Sequence, residues 1–162
     1  MYLLKNFNRP QVGVYVLLAS CICFIGATIL AFSQIYLIDF LKIEKLHNVD
    51  FTFFDWSKGE GVNPSLFELT VSGPIFETML LIILLFLLAK FLSNRLTICF
   101  VSAVIWGFAH AAINSPVSGL PSAWIFFVLS SSMFDWEDDA SKQYFVPLGI
   151  HSLANALAYF LL

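Results

Sequence analysis

Four stretches of this chain are nearly free of charge over lengths that a lipid bilayer dictates. No Asp, Glu, Lys or Arg lies between Pro10 and Ile38, between Leu96 and Phe134, or between Gln143 and Leu162, and from Leu69 to Ala89 there is only Glu77. About 20 consecutive apolar residues span the hydrocarbon core as a helix, and backbone polar groups at that depth must be satisfied within helices or closed barrels. The longest stretch is about twice that length and is broken by Asn114-Ser115-Pro116-Val117-Ser118-Gly119-Leu120-Pro121, whose residue types make turns. With 59% hydrophobic and 12% charged residues the chain lies far outside the range of soluble globular domains. The expected fold is all-α, a polytopic membrane bundle of about five transmembrane helices in one domain over 1–162. Within it, 1–65 form an N-terminal helix and an interfacial loop, and 66–162 form the core.

The first helix is expected from about Gln11 to Ile38. Its apolar run from Val12 to Leu30 exceeds the roughly 7–15 residues of a signal-peptide core, which predicts a retained helix. Residues 39–72 hold most of the charges together with Trp56, Phe51, Phe53 and Phe54, a composition suited to the headgroup level. Ser65-Leu66-Phe67-Glu68 has capping-box spacing, so a second helix is expected to start there and run to about Phe91. It meets Gly73-Pro74 on the way. Pro74 has no N–H for the carbonyl of Thr70, so the helix must kink or restart, leaving free backbone groups and room for water one turn before Glu77. The third helix is expected over Leu96 to Ile113 and the fourth over Ser122 to Asp135, with Ser130-Ser131-Ser132 suited to close contact. Asp135, Glu137, Asp138 and Asp139 read as a solvated turn, with a divalent-cation site as the alternative. The fifth helix is expected from Tyr144 onward.

The net charge of -3 gives no electrostatic case for a nucleic-acid partner. Cys21, Cys23 and Cys99 lie in apolar runs and read as small filling residues. Under a five-span topology Lys5, Arg9, Lys90, Arg95 and Lys142 share one side and Lys42, Lys45 and Lys58 the other. That excess places the N-terminus in the cytoplasm of what reads as a prokaryotic plasma membrane.

Cysteines and tyrosines aside, the apolar stretches hold three ionisable side chains: Glu77, His110 and His151. Such groups inside a membrane face the protein interior, take partners and carry function. His151 and Asn155 are four apart and share a helix face, and so do Trp106 and His110. Gly107, Ala109, Ala111 and Ala112 let a neighbouring helix come near. A carboxylate beside an imidazole is a suitable base for taking a proton from water. A second imidazole and an amide can donate to the oxyanion that forms when a peptide carbonyl is attacked. Hydrolysis of a peptide bond within the membrane is the chemistry this set supports.

Pro74-Ile75-Phe76-Glu77, the aromatic-x-x-x-His of Trp106 to His110, and the His-x-x-x-Asn of His151 to Asn155 resemble, in order and spacing, the motifs of a known group. It is the CAAX protease and bacteriocin-processing (CPBP, or Abi) family of intramembrane endopeptidases. The resemblance covers about Leu66 to Leu162. It implies a helical bundle with a catalytic core of four helices, in which Glu77 activates water, His110 assists, and His151 and Asn155 support the transition state. It further implies a membrane-embedded or lipidated peptide or protein substrate, and a metal-free glutamate mechanism. The sequence offers no independent reason to add zinc, since it has no HExxH motif and no Cys/His cluster.

The chain departs from the family's first motif, which usually has paired glutamates and an arginine four residues after the second. Here Thr78 and Ile82 occupy those positions. Residues spaced i,i+4 can pair on a helix, so the two changes together remove a pair and leave no orphaned charge. Two other readings stay open. One is a non-catalytic protein of the same scaffold, acting as an immunity, scaffold or assembly factor. The other is a proton or ion path along Glu77, His110 and His151. Asn114, four residues after His110, forms a second His-x-x-x-Asn, and its place beside Ser115-Pro116 favours a helix-end role.

Overall fold

The structure is a computed structural model that describes residues 11–41 and 65–161. Five helices, each long and apolar enough to cross a membrane, account for nearly all of these: α1 (Val12–Phe40), α2 (Glu68–Ala89), α3 (Arg95–Ile113), α4 (Pro116–Asp135) and α5 (Ala140–Leu161). No strand occurs among the described residues. The protein is an all-α integral membrane bundle. The expected interfacial aromatics Phe51, Phe53, Phe54 and Trp56, and the cations Lys5, Arg9, Lys42, Lys45 and Lys58, lie outside the described residues.

The helices run alternately up and down, and α4 is the innermost. It contacts α1, α3 and α5, while α5 contacts α1, α2 and α4, and α2 packs mainly on α3 and α5. In its span window 56% of residues are buried, against 22–28% in the other four, so α4 sets the centre and the others present one face to lipid. Lipid tails are as apolar as leucine, so helices in a bilayer associate through close contact and hydrogen bonds rather than through the hydrophobic effect.

Three kinds of contact supply this. First, α3 and α4 nearly touch backbones: a Cβ added to Gly107 would lie 2.8 Å from the Gly119 carbonyl oxygen and 2.9 Å from the Ala123 Cβ. Second, hydroxyl and indole groups cross between helices. Ser130 Oγ donates to Ser102 Oγ at 3.4 Å, Ser20 Oγ to the Ile150 carbonyl at 3.2 Å, and Trp124 Nε1 to the Ile22 carbonyl at 3.1 Å. Third, charged and aromatic groups tie the end where α1, α3 and α5 begin. Tyr15 donates to Asp135 Oδ2 at 2.7 Å and meets Trp136 edge-on. Arg95 pairs with Glu137 at 2.6 Å. Asp139 accepts the Lys142 N–H at 3.1 Å, capping α5, and pairs with the Lys142 ammonium. That partner holds the Asp139 carboxyl below the usual carboxylate range. Asp135, Glu137 and Asp139 of the expected acidic turn thus each have a partner within the protein.

Two helices start earlier than their residue types predict. α4 begins with a 3-10 turn at Pro116–Ser118 and is helical through Pro121, which sits in the first α-helical turn, where the missing N–H would be unsatisfied anyway. α5 starts at Ala140 because Asp139 caps it, and this puts the buried Pro147 inside the helix rather than in its first turn. Asn94 Oδ1 caps α3 by accepting the Thr97 N–H at 3.1 Å.

The Trp124 indole lies directly over Gly26, where any Cβ would collide with it. Gly26→Ala is expected to push the indole off the Ile22 carbonyl and to cost about 1–3 kcal/mol through overpacking. Gly13→Ala, whose Cβ meets nothing within 4 Å, should stay within about 0.5 kcal/mol of the parent. Equilibrium unfolding of both variants in mixed detergent micelles checks the difference.

Candidate functional site

The site is prepared by a break in α2. Ser65 and Glu68 form the expected capping box: the Ser65 N–H donates to Glu68 Oε2 at 2.6 Å, and the Glu68 N–H to Ser65 Oγ at 3.2 Å. One residue later the helix widens. Glu68–Ser72 is π-helical, and the Gly73 N–H bonds the Glu68 carbonyl, five residues back. Pro74 explains the widening, because an α-helical register would drive its ring into the Thr70 carbonyl and ask it for an N–H it lacks. Glycine is needed at 73, where a Cβ would lie 2.8 Å from the Glu68 carbonyl oxygen.

The π turn leaves the Leu69 carbonyl without its usual donor. Its α-helical partner, Gly73, is turned to Glu68, and its π-helical partner would be Pro74. Asn155 Nδ2 takes the place and donates to Leu69 O at 2.8 Å. A side chain on α5 therefore closes the gap in α2. A freed backbone group is present as expected, but it lies at Leu69, about two turns before Glu77 rather than one, and the group that answers it is protein.

Below the break, Glu77 points inward about 13 Å along α2 from Glu68, at a rise of about 1.5 Å per residue. Its Oε2 lies 3.4 Å from His151 Nε2. His151 is buried, and its Nδ1 has no hydrogen-bond partner. His110 stands in the last turn of α3, with Nδ1 3.0 Å from the Trp106 carbonyl oxygen. A carbonyl only accepts, so Nδ1 carries the hydrogen, and neutral His110 presents the lone pair of Nε2. The backbone under it is pinned, since the His110 carbonyl accepts both the Asn114 N–H and the Ser118 hydroxyl, each at 2.9 Å.

Phe126 of α4 separates the two imidazoles. Its ring stacks on Trp106 at 4.2 Å, lies 5.4 Å from the His110 ring, and meets the His151 ring edge-on at 5.6 Å. A cavity of about 210 Å³ opens beside it, in the half of the bundle where α2 and α4 begin. Glu77, His110, His151 and Asn155 all line this cavity. At about 30 Å³ for each water in the liquid, it has room for several.

The four expected site residues are thus gathered on one cavity, but their pairings differ from the expected roles. Glu77 touches His151, whereas the expectation paired it with His110, and Asn155 gives its amide to the backbone of α2. Ser122, Thr28 and Asn114 also line the cavity. Ser122 was read only as the first residue of a helix, an error that follows from placing the start of α4 too late. Asn114 is the C-cap of α3, as its neighbours suggested, and faces the cavity as well. Trp106 is a stacking residue. Among the described residues no three His, Cys, Asp or Glu side chains converge as a metal-binding group. Comparison with protein-family models, with curated proteins and with solved structures finds no match to this chain.

Asn155→Ala is expected to leave the Leu69 carbonyl unpaired and to cost about 1 kcal/mol, the scale of hydrogen bonds between membrane helices. Pro74→Ala restores an N–H and lets the π turn close as an α turn. In that background the cost of Asn155→Ala should shrink by about 0.5 kcal/mol or more, the scale of coupling within one network. A double-mutant cycle read by unfolding in detergent checks this; strict additivity would contradict the account of the π turn.

Proposed function

We propose that the chain is an intramembrane endopeptidase of the CPBP type, in which Glu77 is the base that activates water. The observation that carries this reading is the contact of Glu77 Oε2 with His151 Nε2, 3.4 Å apart, on a cavity sunk into the bundle that also holds His110. An ionisable pair at this depth is costly and needs a function to explain it.

The geometry suggests the following division of labour. Water sits between the Glu77 carboxylate and the Nε2 lone pair of His110. Glu77 takes a proton from it as the oxygen attacks the carbonyl carbon of a peptide bond. The new C–O bond forms, and the carbonyl electron pair moves to its oxygen, giving a tetrahedral oxyanion. As the C–N bond breaks, Glu77 returns the proton to the leaving nitrogen, and the products are a carboxylic acid and an amine. His151, donating from Nε2, orients the Glu77 carboxylate. Asn155 holds α2 against α5 and so sets the height of Glu77 beside His151. No step calls for a metal ion.

The substrate is a membrane-embedded or lipidated peptide or protein, because the cavity lies among helices whose outer faces are apolar. With the cationic ends of the helices in the cytoplasm and the N-terminus on that side, the cavity lies toward the outer half of a prokaryotic plasma membrane. Glu77→Gln is expected to lower kcat by about 10²–10⁴-fold, the usual contribution of a general base, with unchanged unfolding. The measurement is turnover of an internally quenched library of apolar peptides by the full chain in lipid nanodiscs. Undiminished turnover would remove the proposal.

A second reading, a non-catalytic scaffold or immunity factor, is favoured by two observations. The Asn155 amide is committed to the backbone of α2, and Thr78 and Ile82 stand where the resemblance leads one to expect a glutamate and an arginine. On this reading a chain carrying both Glu77→Gln and His110→Ala keeps its phenotype in cells lacking the wild-type copy. Loss of the phenotype in a stably expressed double variant decides against it.

A further inference from the structure

The reaction leaves one requirement unassigned: a hydrogen-bond donor aimed at the oxygen on which negative charge develops. The polar groups on the cavity can be taken in turn. An ionised Glu77 only accepts. His110 spends its N–H on the Trp106 carbonyl, His151 Nε2 faces Glu77, and Asn155 Nδ2 is held by Leu69 O. The two imidazoles are therefore occupied, while Asn155 keeps one amide N–H on a side chain whose place is fixed by the Leu69 carbonyl.

The serines of α4 show where a free donor remains. Ser118 bonds the carbonyls of His110 and Ser115. Ser130, Ser131 and Ser132 bond Ser102 Oγ, the Phe127 carbonyl and the Leu129 carbonyl. Ser122 is only 7% exposed, and its hydroxyl makes no hydrogen bond within the described protein. It lines the same cavity as Glu77, His110 and His151. It also lies one turn from Phe126 on the same face of α4, above the ring on which both imidazoles rest. A hydroxyl that lines the cavity without a protein partner is free to give its hydrogen to a group that enters it.

We infer that Ser122 is a catalytic residue, the hydroxyl that donates to the carbonyl oxygen of the scissile peptide as that oxygen becomes an anion. Its hydrogen stays on Oγ throughout. The hydroxyl forms no covalent bond to the substrate, and the nucleophile is the water that Glu77 deprotonates. Thr28, half-buried on α1, Asn114, exposed at the end of α3, and the second amide N–H of Asn155 also reach the cavity and are the competing donors.

This inference rests on the hydrolase reading, and the experiment separates the two. Wild type, Ser122→Ala, Ser122→Thr, Ser131→Ala and Glu77→Gln are compared as full chains in nanodiscs on the same quenched peptide library. A phosphinate analogue of the best-cleaved peptide serves as a mimic of the tetrahedral intermediate. Ser122→Ala should lower kcat by about 10²–10³-fold, as removal of one oxyanion donor does, with KM within about twofold and the phosphinate bound correspondingly more weakly. Ser122→Thr should restore most of the loss, and Ser131→Ala, at a serine of the same helix outside the cavity lining, should leave kcat near that of wild type. An unchanged kcat in Ser122→Ala overturns the assignment, as does a change confined to KM, full phosphinate affinity, or a peptide adduct on Ser122 in the mass spectrum. Inactive Glu77→Gln beside unimpaired Ser122→Ala refutes the Ser122 role alone. Active Glu77→Gln, or a wild type that cleaves nothing, refutes the hydrolase reading and this inference with it.

Discussion

The absence of one hydrogen, the N–H that Pro74 does not have, organises the half of the bundle that holds the site. It widens α2 into a π turn over Glu68–Ser72, demands glycine at 73, and releases the Leu69 carbonyl. A carbonyl freed inside a spanning helix needs a donor, and here an amide from α5 provides it. Asn155 supplies the bond at 2.8 Å. Once it is made, the longitudinal register of α2 against α5 is set, and Glu77 stands beside His151, which is one turn before Asn155 on the same helix face. π turns often mark functional positions. Here the reason is mechanical: the turn lets a proline sit in a spanning helix and converts its defect into a tie between helices.

The rest of the cavity depends on α4 as a central post. Glycine and alanine let α3 approach it closely, and this brings the Trp106 and His110 face of α3 onto Phe126. Phe126 then keeps the two imidazoles apart while touching both. It packs against one imidazole at a tilt and against the other edge-on, and both histidines line the cavity. On the far side, α1 is held by Trp124 over Gly26 and by Ser20 on α5, so its middle turns Phe24, Ala27 and Thr28 form the remaining wall.

Much of this could be read from residue types because bilayer energetics allow few alternatives. Uncharged runs of spanning length mark helices, and the three ionisable groups inside those runs had to face inward, which is where Glu77, His110 and His151 lie. Gly73-Pro74 likewise signalled a break with freed carbonyls. Pairing was harder to read. That Glu77 meets His151 rather than His110 depends on how α2 packs on α5, a tertiary choice that residue types do not reveal. That Asn155 serves α2 depends on the choice of a π turn over a kink, which the presence of proline alone does not decide. Ser122 was obscured by Pro116 and Pro121. Both read as breakers, yet both fit the start of a helix, where a missing N–H costs nothing.

The positions where the first motif departs from its usual form fit this geometry. Thr78 is wholly buried with an unpartnered hydroxyl, and Ile82 packs partly buried against the core cluster around Leu81 and Leu85. A glutamate and an arginine at these two points would have to be enclosed as an ion pair, and enclosing such a pair gains little over apolar groups of similar volume. Replacing both members together leaves no buried charge behind. The Glu77 carboxyl then has no neighbouring cation on its own helix, and its polar company comes from α5. With threonine and isoleucine as its neighbours on α2, the Glu77 carboxyl has its imidazole contact across the helix boundary, on the cavity, which is the arrangement the proposed chemistry requires.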